Sequence, residues 1–174
     1  MRQKRIPLEA AIALISNGTN INYENKPNYK RKEISLDRDL LLIGMNKTKI
    51  LNIYTDGGSR GNPGPGALGV YVENDKGDVL VEIGRTLGIT TNNVAEYSAI
   101  VAGLTWVIRN KSLMPDLSKI NFFMDSQLAT AQLNGIYKVK NPKLRELIFL
   151  IKEKEAEMDL PIYYLHIPRE QNKK

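Results

Sequence analysis

Apolar and polar positions alternate most strictly between residues 50 and 56. Leu51, Ile53 and Thr55 share one face, and Ile50, Asn52, Tyr54 and Asp56 share the other, which is the pattern of a half-buried strand. That strand is expected to end on the carboxylate of Asp56. Gly57, Gly58, Gly61, Gly64 and Gly66 follow with two prolines among them, so the next stretch is expected to be a tight loop that presents bare backbone amides. Asp-Gly after a strand is also the commonest hairpin signal, so a plain turn is the alternative reading. Alternation resumes over residues 67–73 and 79–87, joined by Asn-Asp-Lys-Gly, and the three segments predict a meander.

Beyond residue 90 the period lengthens. Residues 90–110 predict a long helix, 119–125 a second strand ending on an Asp, and 127–134 a short helix stopped by Gly135. Asn141 and Pro142 open another helix, with Leu144, Leu147, Ile148 and Ile151 at helical spacing, and residues 162–167 form the last strand. Three strands, a helix, a strand, two helices and a strand make an α/β layer arrangement. Its later strands are reached through helical crossovers and are therefore expected to be parallel.

Residues 1–48 read differently and are expected to form a small, basic, helical N-terminal appendage to a domain spanning 49–174. Residues 7–16 suit a short helix that starts at a proline and stops at Asn17-Gly18, and Ser35 caps a second helix over 36–43 ended by Gly44. Between them Lys26, Lys30, Arg31 and Lys32 interleave with Tyr23 and Tyr29, as in a nucleic-acid-binding arm or a solvated linker. The opening Met-Arg-Gln-Lys-Arg imitates a signal peptide, but Pro7 and Glu9 interrupt the apolar run that follows, and the expected location is cytoplasmic.

Composition narrows the chemistry. With no cysteine and one histidine, thiolate metal sites, disulfides and a Ser-His-Asp triad fall away, and any metal must be held by oxygen. The net charge of +6 favours an anionic partner. Residues 1–48 hold nine Lys/Arg against five Asp/Glu, so most of the excess lies there.

Three carboxylates then stand out. If the strands ending at Asp56 and Asp125 are parallel neighbours, both acids reach the carboxyl edge of the sheet, where open α/β folds place their sites. Glu96 lies one turn into the long helix on a stripe continued by Ile100 and Val107, where a carboxylate is partly buried and needs a compensating cation or donor. The structural alternatives are a capping box between Asn93 and Glu96 and an N-cap role for Asp125. Converging carboxylates in a basic protein select Mg²⁺ or Mn²⁺.

Four segments together resemble the type 1 ribonuclease H family. They are Tyr-Thr-Asp-Gly-Gly-Ser-Arg-Gly-Asn-Pro-Gly-Pro-Gly-Ala, Thr-Thr-Asn-Asn-Val-Ala-Glu, Met-Asp-Ser-Gln-Leu and His-Ile-Pro-Arg-Glu-Gln-Asn, in family order from about residue 50 onward. The resemblance implies a five-stranded mixed sheet flanked by helices. It also implies hydrolysis of the RNA strand of RNA/DNA hybrids, without sequence preference, by a monomer using two Mg²⁺ ions, with Mn²⁺ as substitute, and neither a membrane nor a small-molecule cofactor. In that scheme one ion lowers the pKa of the attacking water and the other stabilises the leaving oxygen.

By the same resemblance Asp56, Glu96 and Asp125 are the catalytic, metal-binding carboxylates, joined at the metal by Gly57. Gly58, Ser59, Asn62, Thr91, Asn92, Asn93, Ser126 and Gln127 match positions that touch the hybrid, and His166 or Arg169 is an auxiliary residue. For His166 a buried strand histidine is the alternative. The family's basic helical protrusion is replaced by the short linker over 136–141, leaving Tyr137, Lys138 and Lys140. No counterpart of the fourth carboxylate precedes Lys174, so weak activity in Mg²⁺ with partial rescue by Mn²⁺ is expected, and a nucleic-acid-binding module that does not cut is the alternative function.

Overall fold

A single five-stranded sheet in the order β3-β2-β1-β4-β5 organises the computed structural model, in which residue 42 and residues 44–172 are described. β1 (Ile50–Ser59), β2 (Gly64–Asn74) and β3 (Val79–Thr90) form the antiparallel meander expected from their alternation. β4 (Lys119–Met124) and β5 (Ile162–His166) run parallel to β1. The crossovers are α1 (Asn92–Asn110), α2 (Gln127–Leu133) and α3 (Pro142–Met158). This is the α/β fold that the sequence resemblance implied, a mixed sheet flanked by helices.

The inward positions of β1 behave as their pattern predicts. Leu51 and Ile53 are fully buried and Thr55 nearly so, while Asn52 and Tyr54 are half-buried. They pack with Val72, Ile120 and Phe122 beneath Ile100, Leu104 and Val107 of α1 and Leu147 and Ile151 of α3. Each such side chain contributes about 2 kcal/mol by leaving water. On the other face of the sheet Tyr54 stacks on Phe123, ring centroids 4.9 Å apart.

Several boundaries differ from expectation, among them β3, which runs on to Thr90 by pairing with Gly64, so that the long helix opens at Asn92 and not at residue 90. β1 does not end at Asp56 but runs through Gly57 and Gly58 to Ser59, because β2 continues to pair with it (Gly57↔Leu68, Ser59↔Gly66). The tight turn is confined to residues 60–63, where a Cβ on Gly64 would lie 1.9 Å from the Arg60 carbonyl oxygen. Helical structure continues past Gly44 over residues 44–46, and Thr48 Oγ1 donates to the Gly44 carbonyl at 2.8 Å. Met45 and Thr48, although they precede residue 49, are buried against the domain core. The expected helices over 7–16 and most of 36–43, and the basic stretch over 20–32, lie outside the described residues. Among the described residues no helix is long and apolar enough to cross a membrane.

Candidate active site

Asp56 sits where β1 loses one of its two neighbours. The parallel pairing with β4 stops at Thr55↔Met124, while the antiparallel pairing with β2 carries on to Ser59. Asp125 is the first residue after β4, so the two acids emerge side by side at the same sheet edge. Glu96 comes from α1, and glycine is what lets it approach. A Cβ on Gly57 would lie 2.2 Å from the Ala95 carbonyl carbon and 2.4 Å from the Glu96 amide nitrogen, so only a bare backbone permits the helix to lie this close.

Asp56, Glu96 and Asp125 thereby line one narrow cleft together with Gly57 and Ser126, floored by Ile100 and Met124. Neither capping alternative describes these acids. Thr91 caps α1, its hydroxyl accepting from Val94 N at 3.4 Å, which leaves Asn93 inside the first turn. Ser126 caps α2 by accepting from Ala129 N at 3.3 Å, so Asp125 stands free of that role.

Burial raises the pKa of Glu96. The Ser126 hydroxyl pulls it partly back, and the negative charges of Asp125 and Asp56 push it further up. Within the cleft's own lining the cluster carries no positive side chain. The donors available are oxygens of carboxylates and backbone, the set preferred by hard divalent cations. Among the described residues no three acidic or imidazole groups are gathered tightly enough to enclose a single ion, so the carboxylates line the cleft as separate arms. The fit to Mg²⁺ is therefore one of donor chemistry and shared location.

Of the positions expected to meet a hybrid, Ser126 lines this cleft and several of the others are engaged elsewhere. Asn92 Oδ1 accepts from Ser59 N at 2.7 Å and from Ser59 Oγ at 3.0 Å, and Asn92 N donates to Asn62 Oδ1 at 3.3 Å. These three residues fasten the β1–β2 turn to the start of α1. Asn93 and Gln127 make no side-chain hydrogen bond among the described residues, and Gly58 faces open space.

His166 is exposed at the end of the edge strand β5, not buried as the strand reading had it, because nothing pairs beyond that strand. Arg169 instead reaches the cleft, with Nε 3.8 Å from Asp125 Oδ2. Glu170 is exposed in the adjoining turn, and Asn172 Nδ2 donates to the Thr55 carbonyl at 3.1 Å, holding this segment against β1. Sequence reasoning missed the bond from Tyr97 Oη to Gln132 Oε1 at 2.6 Å, which ties the residue beside Glu96 to α2. Neither side chain breaks its helical pattern in a way that signals it.

Residues 48–160 match the family model described as RNase H. The chain is 38% identical over 121 residues to the "Bifunctional protein Rv2228c" of Mycobacterium tuberculosis, covering 69% of this chain and 32% of that protein. It is 35% identical over 124 residues to the "Ribonuclease HI" of Halobacterium salinarum, covering 71% and 59%. It thus spans between a third and three fifths of the length of these relatives. Among solved structures, LC11-RNase H1 in complex with an RNA/DNA hybrid is similar at 41% identity and a TM-score of 0.67, covering 71% of this chain and 88% of that one.

Proposed function

The chain belongs to the ribonuclease H family, and on that premise we propose that it is an endonuclease hydrolysing the RNA strand of RNA/DNA hybrids without sequence preference. The observation that carries this reading is the convergence of Asp56, Glu96 and Asp125, from three separate elements, on one cleft. Asn93, Gln127 and the open backbone at Gly58 lie within three residues, along the chain, of the cleft residues Glu96, Ser126 and Gly57. Short neutral donors and bare amides suit 2′-hydroxyls and phosphates better than base edges, which accounts for indifference to sequence.

In the reaction a water oxygen bonds to phosphorus, the bond to the 3′-oxygen breaks, and the products carry a 5′-phosphate and a 3′-hydroxyl. Two Mg²⁺ ions held by Asp56, Glu96, Asp125 and the Gly57 backbone would supply the activated water and stabilise the leaving oxygen. The chain's own contribution is positional. Gly57 lets α1 bring Glu96 to the cleft, the Ser126 hydroxyl favours the ionised form of Glu96, and Arg169 offsets part of the charge on Asp125.

The test is Mg²⁺-dependent release of fragments from an end-labelled RNA/DNA hybrid, with single-stranded RNA and duplex DNA as controls. Cleavage confined to the RNA of the hybrid supports the reading. Binding of the hybrid with no cleavage in either Mg²⁺ or Mn²⁺ replaces it with the module that binds and does not cut.

A further inference from the structure

The face of the sheet turned away from α1 and α3 carries an apolar patch of its own. The register sets Tyr71 of β2, Tyr54 of β1, Phe123 of β4 and Leu165 of β5 in one row across four strands, with Tyr163 beside them on the same face. Tyr54 stacks on Phe123 and meets Tyr71 edge-on, ring centroids 6.0 Å apart. None of these side chains belongs to the core that the helices close.

The middle of this face is nonetheless shielded. Glu73 sits there, paired with Asn52, and accepts from Tyr54 Oη at 3.2 Å. It is only 7% exposed, whereas Tyr163 and Leu165 on the edge strand are 49% and 39% exposed. A carboxylate withdrawn that far from water, on the side of the sheet that α1 and α3 do not occupy, calls for a cover over β1 and β2.

Position, length and charge identify the occupant. The chain comes to the sheet next to Glu73. Lys49 N donates to Asp75 Oδ1 at 3.3 Å, and a Cβ on Gly44 would lie 4.0 Å from Asn74 Nδ2. Residues 1–41 precede this entry and contain the unbroken apolar run Ala-Ala-Ile-Ala-Leu-Ile at 10–15. A helix over 7–16, as its sequence predicts, is about 15 Å long. The three strand spacings from Tyr71 to Leu165 come to about 14 Å. Arg2, Lys4 and Arg5 lead into the run, and Glu82, which extends the row beyond Tyr71, is exposed and forms no ion pair among the described residues.

We propose that residues 7–16 of this chain dock across the second face of the sheet. Leu8, Ile12 and Ile15, one stripe of the expected helix, pack on Tyr71, Tyr54 and Phe123, and the basic residues that lead into it lie towards Glu82. The docked segment then supports β1 and β4 two residues before Asp56 and Asp125. This inference does not depend on the hybrid-nuclease reading.

The test uses the full chain, whose lack of cysteine lets a single introduced thiol carry a nitroxide label. A label on Leu165→Cys is expected to broaden the NMR amide signals of residues 7–16. A label on Phe149→Cys, 66% exposed on α3, is expected to leave them sharp. Glu82→Cys, at the other end of the row, gives a second reading of the same signals. Ile12→Asp should abolish the broadening and lower the melting temperature by about 4 to 8 °C, the shift expected from losing one buried isoleucine in a chain of this size.

Signals of residues 7–16 that stay sharp with labels at 165 and 82, or that broaden equally with the label at 149, overturn the proposal. Broadening that arises only between chains, when spin-labelled protein is mixed with isotope-labelled protein, also overturns it and assigns the face to a second copy. So does an Ile12→Asp chain that keeps both the parent broadening and the parent melting temperature.

Discussion

Gly57 of β1 and Ala95 of α1 meet backbone to backbone, so closely that a methyl group on Gly57 would lie 2.2 Å from the Ala95 carbonyl carbon. Strand and helix are both regular there, so neither can yield alone. Gly57→Ala is expected to push the first turns of α1 outward and take Glu96 away from Asp56. Overpacking of this kind costs about 2 kcal/mol or more. The expected result is a lowered melting temperature together with loss of hydrolysis. Wild-type activity in a folded Gly57→Ala protein would show that the separation of Glu96 from Asp56 does not matter.

Asp56→Asn keeps the shape of the side chain but removes a charge from the cleft. Hydrolysis should fall to background while hybrid affinity is retained or rises, since repulsion between the cleft and the phosphates is reduced. Parallel turnover and binding assays decide this. Retained turnover in Mg²⁺ would remove Asp56 from the catalytic role.

Glu96 supplies a pH dependence whose sign follows from its surroundings. Burial, with the charges of Asp125 and Asp56, holds its pKa above the usual 4.5, against the pull of Ser126. A carboxyl group with a raised folded pKa favours the folded state most below its unfolded pKa, and that contribution is lost as pH rises through the folded value. The metal-free protein should therefore lose stability over that window. Mg²⁺ must displace the same proton, so its stabilising effect should grow as pH rises. Thermal melts with and without Mg²⁺ across that range, repeated on Glu96→Gln, test both statements. An identical pH profile in Glu96→Gln would assign the dependence to other groups.

The carboxylate strands were legible in the sequence because a half-buried strand writes its faces into alternate residues, as Leu51, Ile53 and Thr55 do. The stretch over Gly57, Gly58 and Ser59 was not, since glycine has no side chain to alternate, and the pairing that keeps these residues in β1 comes from β2. Capping stayed open in the sequence for a similar reason. Thr91 and Asn93 are both good caps by composition, and only the dihedral angles at Thr91 make it the one used. Arg169 and His166 are equally plausible in the linear sequence. The turn after β5 is what carries the arginine back to Asp125.

The position of Met45 and Thr48 in the core bears on how the basic N-terminal region should be removed. A cut at residue 48 would delete two buried side chains, whereas a cut at residue 41 leaves them in place. Deleting residues 1–41 removes eight Lys/Arg and five Asp/Glu. If these cations contact phosphates, hybrid binding weakens and its salt slope flattens by about 0.9 for each phosphate lost. An unchanged slope would assign the segment another role.

The Ser59–Asn92–Asn62 bonds give the molecule a mechanical property. They weld the tip of a hairpin to the first turn of a helix, and Glu96 rides four residues along that helix. If the proposed function holds, displacement of the hairpin tip by a seated duplex would be passed to Glu96 through these hydrogen bonds. On the proposed function, a poorly fitting substrate would displace Glu96 along with the hairpin, and fit and reactivity would share one structural part.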